Sequence, residues 1–226
     1  MDLKERAARK ALDFVKSGMV LGLGSGSTNR IFIELLGKRL KSGDISNIYG
    51  VPTSEASADL ARLLGIPLTT LAVHPRLDLV VDGADEVDPN LNLIKGLGRA
   101  LLREKVVEIH AELFVVIVDE TKLVTRLGTQ SPLPVELIKF EAETTIKWLD
   151  TLGCRAELWL EDDGSPFITD NGNYYARCWF QDGIKDPYSL ARELADRPGI
   201  VEHGLFLDMA DLVIVAGSDG IKIMER

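Results

Sequence analysis

The feature that most constrains the fold is an apolar segment that runs directly into a glycine-rich loop and then into a helix. Residues 19–23 predict a short strand, residues 22–28 read Gly-Leu-Gly-Ser-Gly-Ser-Thr, and residues 29–40 predict a helix. Glycines at the end of a strand let backbone N–H groups approach an anion, and the positive end of the helix dipole strengthens the attraction. The sequence therefore predicts the first half of a β-α-β unit with an anion-binding loop.

The same alternation of apolar strands and amphipathic helices continues to about residue 130. Further helices are predicted at residues 3–17, 54–64 and 99–111. Further strands are predicted at residues 47–51, 67–71, 77–81 and 113–118. This alternation is typical of a parallel sheet that is covered by helices on both faces.

From about residue 132 the order of elements changes to β-α-β-β-α-β, which is the ferredoxin-like arrangement. Its strands are predicted at residues 133–137, 154–160, 173–180 and 200–202, and its helices at residues 141–152 and 187–195. One more apolar strand, 212–215, is predicted to return to the first sheet. We therefore predict an α/β fold with a Rossmann-like parallel-sheet domain (residues 1–130 plus 206–226) and an inserted ferredoxin-like α+β domain (residues 131–205).

Charge and composition exclude several classes of partner. The formal net charge is −9, and an acidic chain gains nothing from counterion release on nucleic acid. Cys154 and Cys178 form no Cys-x-x-Cys motif and have no nearby histidine cluster, so we interpret them as reduced thiols and expect no metal site. The longest apolar runs are too short to span a membrane, and residues 1–10 are charged and lack the apolar region of a signal peptide. We expect a cytoplasmic protein without a nucleic-acid or membrane partner.

The glycine-rich loop does not match the common nucleotide-binding loops. It lacks the Gly-Lys-Ser/Thr ending of a P-loop, and Ser27 or Asn29 replaces the final glycine of a Gly-x-Gly-x-x-Gly fingerprint. The strand at 47–51 also has no acidic residue at its end to bind a ribose hydroxyl. The serine and threonine hydroxyls of the loop are instead suitable donors to a small anion. Taken alone, the loop supports a strand-to-helix turn without a ligand about equally well.

Three carboxylates follow the strand predicted at 77–81, in the segment Asp82-Gly83-Ala84-Asp85-Glu86. In an open α/β sheet, ligands bind at the carboxyl ends of the strands. Neighbouring carboxylates can divide acid and base roles when their surroundings differ. Taken alone, however, the segment slightly favours a solvated acidic turn.

The third candidate segment is Lys95-Gly96-Leu97-Gly98, here called the lysine loop, whose glycines let the backbone shape itself around a ligand. The helix that follows is predicted to bury an apolar stripe of Leu102, Val106, Ile109 and Leu113. Glu104 lies nearly opposite that stripe. The helical pattern by itself therefore predicts an exposed surface glutamate at this position.

Together, these segments resemble the A type of ribose-5-phosphate isomerase over nearly the whole chain. The resemblance is carried by GLGSGST at 22–28, VPTS at 51–54, VDGADEVD at 81–88, KGLGRALLREK at 95–105, DETKLV at 119–124, PLPVE at 132–136, TDNGN at 169–173 and PGIVEHGLF at 198–206. Each motif is modestly specific, whereas their order and spacing together are highly specific. The family interconverts ribose 5-phosphate and ribulose 5-phosphate without a metal or a cofactor.

The resemblance implies a role for each matching residue. It implies that Glu104 is the general base and that Asp82, Asp85 and Lys95 surround the reacting end of the sugar. It implies further substrate contacts from Ser25, Gly26, Ser27, Thr28, Gly83, Ala84, Gly96, Leu97, Gly98 and Lys122. Phosphate is assigned chiefly to Ser27, Thr28 and Lys122, with Lys4 as a weaker candidate. The resemblance also implies a homodimer or a homotetramer that forms through the small domain.

The lysine loop departs from the family pattern, and two alternative functions are weighed beside the isomerase. The lysine loop often reads Lys-Gly-Gly-Gly in the family, whereas Leu97 and then Arg99 occur here. A related amino-sugar-phosphate deaminase and a non-catalytic sugar-phosphate sensor are the alternative functions. We interpret the three histidines, His74, His110 and His203, as non-catalytic, which argues against the deaminase. The complete set of catalytic candidates disfavours the sensor.

Overall fold

The computed structural model describes residues 2–226, so residue 1 of the predicted larger domain lies outside the described residues. The helices are α1 (Leu3–Ala11), α2 (Gly26–Ser42), α3 (Glu55–Leu63), α4 (Leu101–Glu108), α5 (Ala142–Asp150) and α6 (Pro187–Ala195). The strands are β1 (Val20–Leu23), β2 (Tyr49–Pro52), β3 (Leu79–Asp82), β4 (Glu86–Val87), β5 (Leu93–Ile94), β6 (Phe114–Asp119), β7 (Leu133–Leu137), β8 (Arg155–Leu158), β9 (Tyr174–Trp179), β10 (Ile200–His203), β11 (Leu205–Phe206), β12 (Leu212–Gly217) and β13 (Gly220–Glu225).

The chain divides into two compact units. The first unit comprises Met1–Ala84, Arg103–Lys122 and Met209–Arg226, and the second comprises Asp85–Leu102 and Leu123–Asp208. The predicted domain limits, with the small domain at 131–205, differ from this division and stay a prediction. The main difference is the segment Asp85–Leu102, which belongs to the second unit because its strand β5 pairs with β11.

The first unit is built on a six-stranded sheet in the order β13-β12-β6-β3-β1-β2. Neighbouring strands from β12 to β2 are parallel, and only the edge pair β12–β13 is antiparallel. The central strands β6 and β12 are almost entirely buried aliphatic residues, as expected for a sheet covered on both faces. Helix α1 packs its small residues Ala7, Ala8 and Ala11 into the core of this unit.

Two details of the first sheet differ from the sequence prediction. The strand predicted at 67–71 is wrong, because only Leu68 forms a bridge, to Gly50, before the backbone turns at residues 70–74. The edge strand β13 was not predicted. It is an antiparallel hairpin partner of β12 with mostly exposed side chains, so it carries no apolar run that would predict it.

The second unit contains a four-stranded antiparallel sheet in the order β10-β7-β9-β8. With α5 after β7 and α6 after β9, this is the ferredoxin-like order that the sequence predicts. A second, three-stranded sheet in the order β11-β5-β4 was not predicted, because strands of two residues leave no periodicity to detect.

Both cysteines of the second unit are free thiols, in agreement with their interpretation from the sequence. A hydrogen bond with Cys154, together with burial, raises the pKa of Cys178 well above its ordinary value. Cys178 is therefore an uncharged part of the core of this unit. None of the helices in residues 2–226 combines the length and apolar character that a membrane span needs.

Candidate active site

The carboxyl ends of three neighbouring parallel strands of the first unit carry predicted site residues. In the sheet β1 lies beside β3, and β3 lies beside β6. The loop 24–28 follows β1, Asp82 ends β3, and Lys122 ends the short 3-10 turn after β6. Because these strands are parallel, all three segments lie at the same edge of the sheet, where ligands of open α/β sheets bind.

Asp82 is fully buried and is held by hydrogen bonds from the glycine-rich loop, from helix α2 and from its own neighbour Gly83. Its Oδ1 atom accepts hydrogen bonds from the backbone N–H of Ser25 (3.1 Å) and of Gly83 (2.6 Å), and from the side-chain amide of Asn29. A side chain at Gly24 would clash with both Asp82 and Asn29. Glycine is therefore required at position 24, because the Asp82 carboxylate and the Asn29 amide occupy the space where a Cβ atom would lie.

The hydroxyl of Ser25 faces a buried cluster of other hydroxyl groups. Its Oγ lies 2.8 Å from Oγ1 of Thr53 and 2.8 Å from Oγ of Ser54. Ser57 continues the cluster and donates to the carbonyl oxygen of Gly24 at 2.7 Å. The cluster fixes the start of the glycine-rich loop, and the side chain of Ser25 belongs to this internal network.

The phosphate candidates of the first unit are more accessible than Ser25. Ser27 is exposed, and Thr28 and Lys122 are half-buried. Lys4, on helix α1, donates a hydrogen bond from Nζ to Oγ of Ser27 at 2.9 Å. A cation is therefore already bonded to a hydroxyl of the loop in which the sequence predicts anion binding. Lys4 is consequently a stronger phosphate candidate than the sequence pattern indicates.

Helix α4 buries a different face from the one predicted, so the predicted apolar stripe is wrong at Val106 and Ile109, while Leu102 and Leu113 are half-buried. Val106 and Ile109 are 44% and 64% exposed, whereas Glu104 and Glu108 are each only 3% exposed. Leu101 and Val107 complete the buried face. Burial of an ionisable carboxyl group is costly without compensating interactions and is common at functional sites.

In the second unit, Lys95 is buried at the end of β5. Its Nζ atom lies 5.4 Å from the ring centroid of Phe206, and its backbone N–H donates to the carbonyl oxygen of Gly204 at 2.9 Å. A lysine with 2% exposure, stacked on an aromatic ring, is held in one orientation. Such a lysine can act as a fixed positive charge toward a developing oxyanion.

The lysine loop is held by two polar side chains of the same unit. The Tyr175 hydroxyl donates to the carbonyl oxygen of Gly96 at 2.8 Å. The backbone N–H of Leu97 donates to Oδ2 of Asp85 at 2.9 Å. The loop backbone therefore orients the Asp85 carboxylate, which the family resemblance implies to lie at the reacting end of the sugar.

The predicted site residues are distributed over both units. Those in the first unit are Ser25, Gly26, Ser27, Thr28, Asp82, Gly83, Ala84, Glu104 and Lys122. Those in the second unit are Asp85, Lys95, Gly96, Leu97 and Gly98. The structure joins Ser25, Asp82 and Gly83 in one hydrogen-bond network and Asp85 with Leu97 in another.

The sequence model of the family described as ribose 5-phosphate isomerase A (phosphoriboisomerase A) matches residues 49–220 of this chain. Ribose-5-phosphate isomerase A of Roseiflexus castenholzii is 52% identical over 222 residues, which cover 98% of this chain and 94% of that protein. The chain belongs to the ribose 5-phosphate isomerase A family.

Two further relatives cover the whole chain. The probable ribose-5-phosphate isomerase 3, chloroplastic, of Arabidopsis thaliana is 49% identical over 100% of this chain and 83% of its own length. A solved structure of a D-ribose-5-phosphate isomerase in complex with phospho-erythronic acid has a TM-score of 0.96 and 46% identity, with all of both chains covered. This likeness confirms the α/β fold class with a Rossmann-like sheet domain and an inserted small domain.

For this member of the ribose 5-phosphate isomerase A family, sequence reasoning overlooked several residues that hold the candidate site. They are Asn29, Thr53, Ser57, Tyr175 and Phe206. Thr53 lies within the motif VPTS at 51–54, and Phe206 ends the motif PGIVEHGLF at 198–206. The others are single polar or aromatic residues whose role depends on contacts distant in sequence, so no local pattern predicts them.

The three histidines of this family member have local structural contacts. His74 stacks on Tyr49, with ring centroids 5.5 Å apart, and its Nδ1 lies 2.8 Å from Oγ1 of Thr69. Nδ1 of His110 lies 2.8 Å from the carbonyl oxygen of Pro75, and His203 is buried. Within residues 2–226, no three His, Cys, Asp or Glu side chains are grouped so that they could hold a metal ion.

Proposed function

We propose that this chain interconverts D-ribose 5-phosphate and D-ribulose 5-phosphate by proton transfer, as a step of the non-oxidative pentose phosphate pathway. The observation that carries the proposal is the burial of three of the four ionisable side chains that the family resemblance assigns to catalysis; the fourth, Asp85, is half-buried. Asp82, Lys95 and Glu104 are 0%, 2% and 3% exposed. Ionisable groups are rarely so buried unless they serve a function or a specific charge partner.

In the proposed reaction, Glu104 is the general base. Its carboxylate takes the proton from C2 of the open-chain aldose, and the bonding electrons form the enediolate. The same carboxyl group returns a proton to C1, which yields the ketose. Lys95 stabilises the negative charge that develops on the enediolate oxygen, because a fixed cation is most effective where charge appears.

The two aspartates have separate proposed roles. Asp82 shuttles protons between the hydroxyl oxygens and assists opening of the furanose ring, and Asp85 binds the same end of the sugar. The different environments of the two carboxylates support this division, because Asp82 accepts three hydrogen bonds at Oδ1 while Oδ2 of Asp85 accepts one from the lysine loop.

The phosphate group is proposed to bind at the glycine-rich loop, chiefly through Ser27, Thr28 and Lys122, with support from Lys4. Backbone N–H groups at the start of α2 add the favourable end of a helix dipole. The solved relative in complex with phospho-erythronic acid supports a phosphorylated ligand for the family. The remaining proposed substrate contacts are Ser25, Gly26, Gly83, Ala84, Gly96, Leu97 and Gly98.

Neither of the alternative functions is favoured by the comparisons, since the matching relatives are named as isomerases. Cytoplasmic location and assembly into a homodimer or homotetramer remain part of the proposal. The name of the Arabidopsis thaliana relative includes the word chloroplastic.

An assay of ribose 5-phosphate conversion in the presence of EDTA tests the proposal. We expect full turnover with chelator and no added cofactor, because a carboxylate base and a lysine cation supply the required chemistry. Loss of activity in EDTA that a divalent metal restores would overturn the mechanism. Ammonia release from glucosamine 6-phosphate would instead indicate the deaminase, and binding of pentose phosphate without turnover would indicate the sensor.

A further inference from the structure

Arg99, the residue immediately after the lysine loop, has a backbone conformation that is unusual for arginine. Its φ angle is 68°, in the left-handed region that glycine tolerates far better than residues with a Cβ atom. The chain nevertheless has an arginine at this position, directly after Gly98. A residue stays in a disfavoured backbone conformation only when its surroundings stabilise it, so the contacts of the Arg99 side chain are relevant.

The guanidinium of Arg99 lies against two aromatic rings and a carboxylate. Its Cζ atom is 4.3 Å from the ring centroid of Phe167 and 5.0 Å from that of Trp159. Its Nη1 atom forms an ion pair with Glu161 at 2.9 Å. A planar guanidinium can stack on rings and bind a carboxylate at the same time, which a lysine ammonium cannot match.

The surface that Arg99 contacts is held together by backbone hydrogen bonds and by contacts between aromatic rings. Residues 159–167 form a hairpin in which Phe167 N–H donates to the carbonyl oxygen of Trp159 at 2.9 Å. Trp159 N–H donates in turn to the carbonyl oxygen of Tyr175, a buried residue of strand β9, at 2.7 Å. The rings of Trp159, Phe167 and Tyr175, here called the aromatic cluster, have centroids 5.9 to 6.5 Å apart.

The aromatic cluster therefore holds the lysine loop at two points. At the first point, the Tyr175 hydroxyl donates to the carbonyl oxygen of Gly96. At the second point, Arg99 stacks on Trp159 and Phe167. Between them lies Leu97, whose N–H orients the carboxylate of Asp85. Lys95 begins the loop, and helix α4, which carries Glu104, begins two residues after Arg99.

We propose that Arg99 is a positioning residue for the isomerase reaction, which anchors the lysine loop to the aromatic cluster and so fixes Lys95 and the Asp85 carboxylate. The inference rests on the proposed function. Arg99 acts through the loop and is not itself placed on the substrate. Misplacement of catalytic groups by an ångström slows turnover strongly, while phosphate binding, proposed at a different loop, is left intact.

The test compares Arg99→Gly with wild type in steady-state assays of ribose 5-phosphate. Glycine keeps the left-handed backbone without strain, so the substitution removes the anchor and not the fold. We expect kcat to fall by about tenfold while KM stays within about twofold. Arg99→Lys keeps the charge but not the planar stacking, and we expect a kcat between the two.

Arg155→Ala is the matched control, because Arg155 stacks on Trp179 at 5.9 Å and pairs with Glu157 at 2.5 Å in the same unit, and belongs to neither the lysine loop nor the aromatic cluster. We expect its kcat to equal that of wild type. A kcat of Arg99→Gly within about twofold of wild type, or an equal loss in Arg155→Ala, would overturn the role of Arg99.

If Arg99→Gly does not fold, Glu161→Gln serves as the second variant, since it removes the ion pair and leaves the arginine in place. Its expected result is a kcat about two- to threefold lower at unchanged KM, and an unchanged kcat would overturn the inference. Wild-type turnover separates the two proposals. An inactive wild-type protein contradicts the proposed isomerase function, whereas an active wild type with an equally active Arg99→Gly contradicts only the role of Arg99.

Discussion

Ser25 and Asp82 lie 57 residues apart in sequence, and the backbone N–H of Ser25 donates a hydrogen bond to Oδ1 of Asp82 at 3.1 Å. The glycine-rich loop and the first carboxylate of the acidic segment are therefore parts of one structure. The glycine-rich loop and the acidic segment are each weak evidence for a site in the sequence. This contact shows that the backbone of the loop holds the Asp82 carboxylate in place. Gly24 allows the contact, since any side chain there would fill the space occupied by Asp82 and Asn29.

We predict that Gly24→Ala lowers the free energy of unfolding by roughly 1–3 kcal/mol, because an extra methyl group in this packed position forces Asp82 and Asn29 to move. Urea denaturation measures the effect. Gly83→Ala is the matched control, since a Cβ atom there meets only the carbonyl oxygen of Ile117 at 3.8 Å. We expect its free energy of unfolding within about 0.5 kcal/mol of wild type. Equal stability of the two variants would contradict the packing argument.

We predict that Lys4→Ala raises KM for ribose 5-phosphate by about two- to fivefold, since an exposed charged contact contributes at most ~1 kcal/mol. The basis is the hydrogen bond from Lys4 to Ser27. Lys10→Ala removes an equal charge from the same helix, where Lys10 pairs with Asp13, and we expect it to leave KM unchanged. Steady-state kinetics at constant ionic strength measure both. A similar KM for the two variants would remove Lys4 from phosphate binding.

We predict that Glu104→Gln folds and binds substrate but lowers kcat by about 10²–10⁴, the usual contribution of a positioned acid or base. Glu112→Gln makes the same chemical change at an exposed glutamate shortly after α4, and we expect its kcat within about twofold of wild type. Circular dichroism checks the fold, and steady-state assays give kcat. A Glu104→Gln variant as active as Glu112→Gln would show that burial of Glu104 serves packing alone.

The buried face of helix α4 could not be predicted from the apolar pattern of its sequence. The apolar spacing predicts a buried stripe at Val106 and Ile109, yet these residues are exposed and Glu104 and Glu108 are buried. Predictions from hydropathy place charged side chains toward water. At functional sites, charged side chains can be buried instead, so such predictions fail there. Only the family resemblance identified Glu104 as a candidate base, because the helical pattern by itself predicts a surface residue.

The long elements, by contrast, follow from local signals. Apolar runs such as those of β6 and β12 predict buried parallel strands, and the β-α-β-β-α-β order predicts the ferredoxin-like sheet. The three-stranded sheet of β4, β5 and β11 could not be predicted, because its strands are two residues long and β11 pairs with β5 from more than 100 residues away in sequence. The contact between Arg99 and the aromatic cluster could not be predicted from local patterns either, because it joins residues that are distant in sequence.

The last prediction distinguishes proton transfer from direct hydride transfer between the two carbons. Aldose–ketose isomerases that move hydride use a metal to polarise the substrate, whereas a carboxylate base moves a proton through an enediolate. In the proposed mechanism, the proton taken from C2 resides on the carboxyl group of Glu104 before it returns to C1. Water that reaches the carboxyl group exchanges that proton with solvent.

Isomerisation in D₂O is therefore expected to place deuterium at C1 of ribulose 5-phosphate, or at C2 of ribose 5-phosphate in the reverse direction. Incorporation is partial where return of the proton is faster than exchange with solvent. NMR of the product measures the deuterium content at each carbon, and turnover is followed in the same sample. Glu104→Gln is the control, because without the carboxylate both exchange and turnover are expected to disappear together. Fast turnover in wild type without deuterium at either carbon would indicate hydride transfer and would remove Glu104 from the role of base, since a proton on a carboxyl group exchanges at least in part whenever water reaches it.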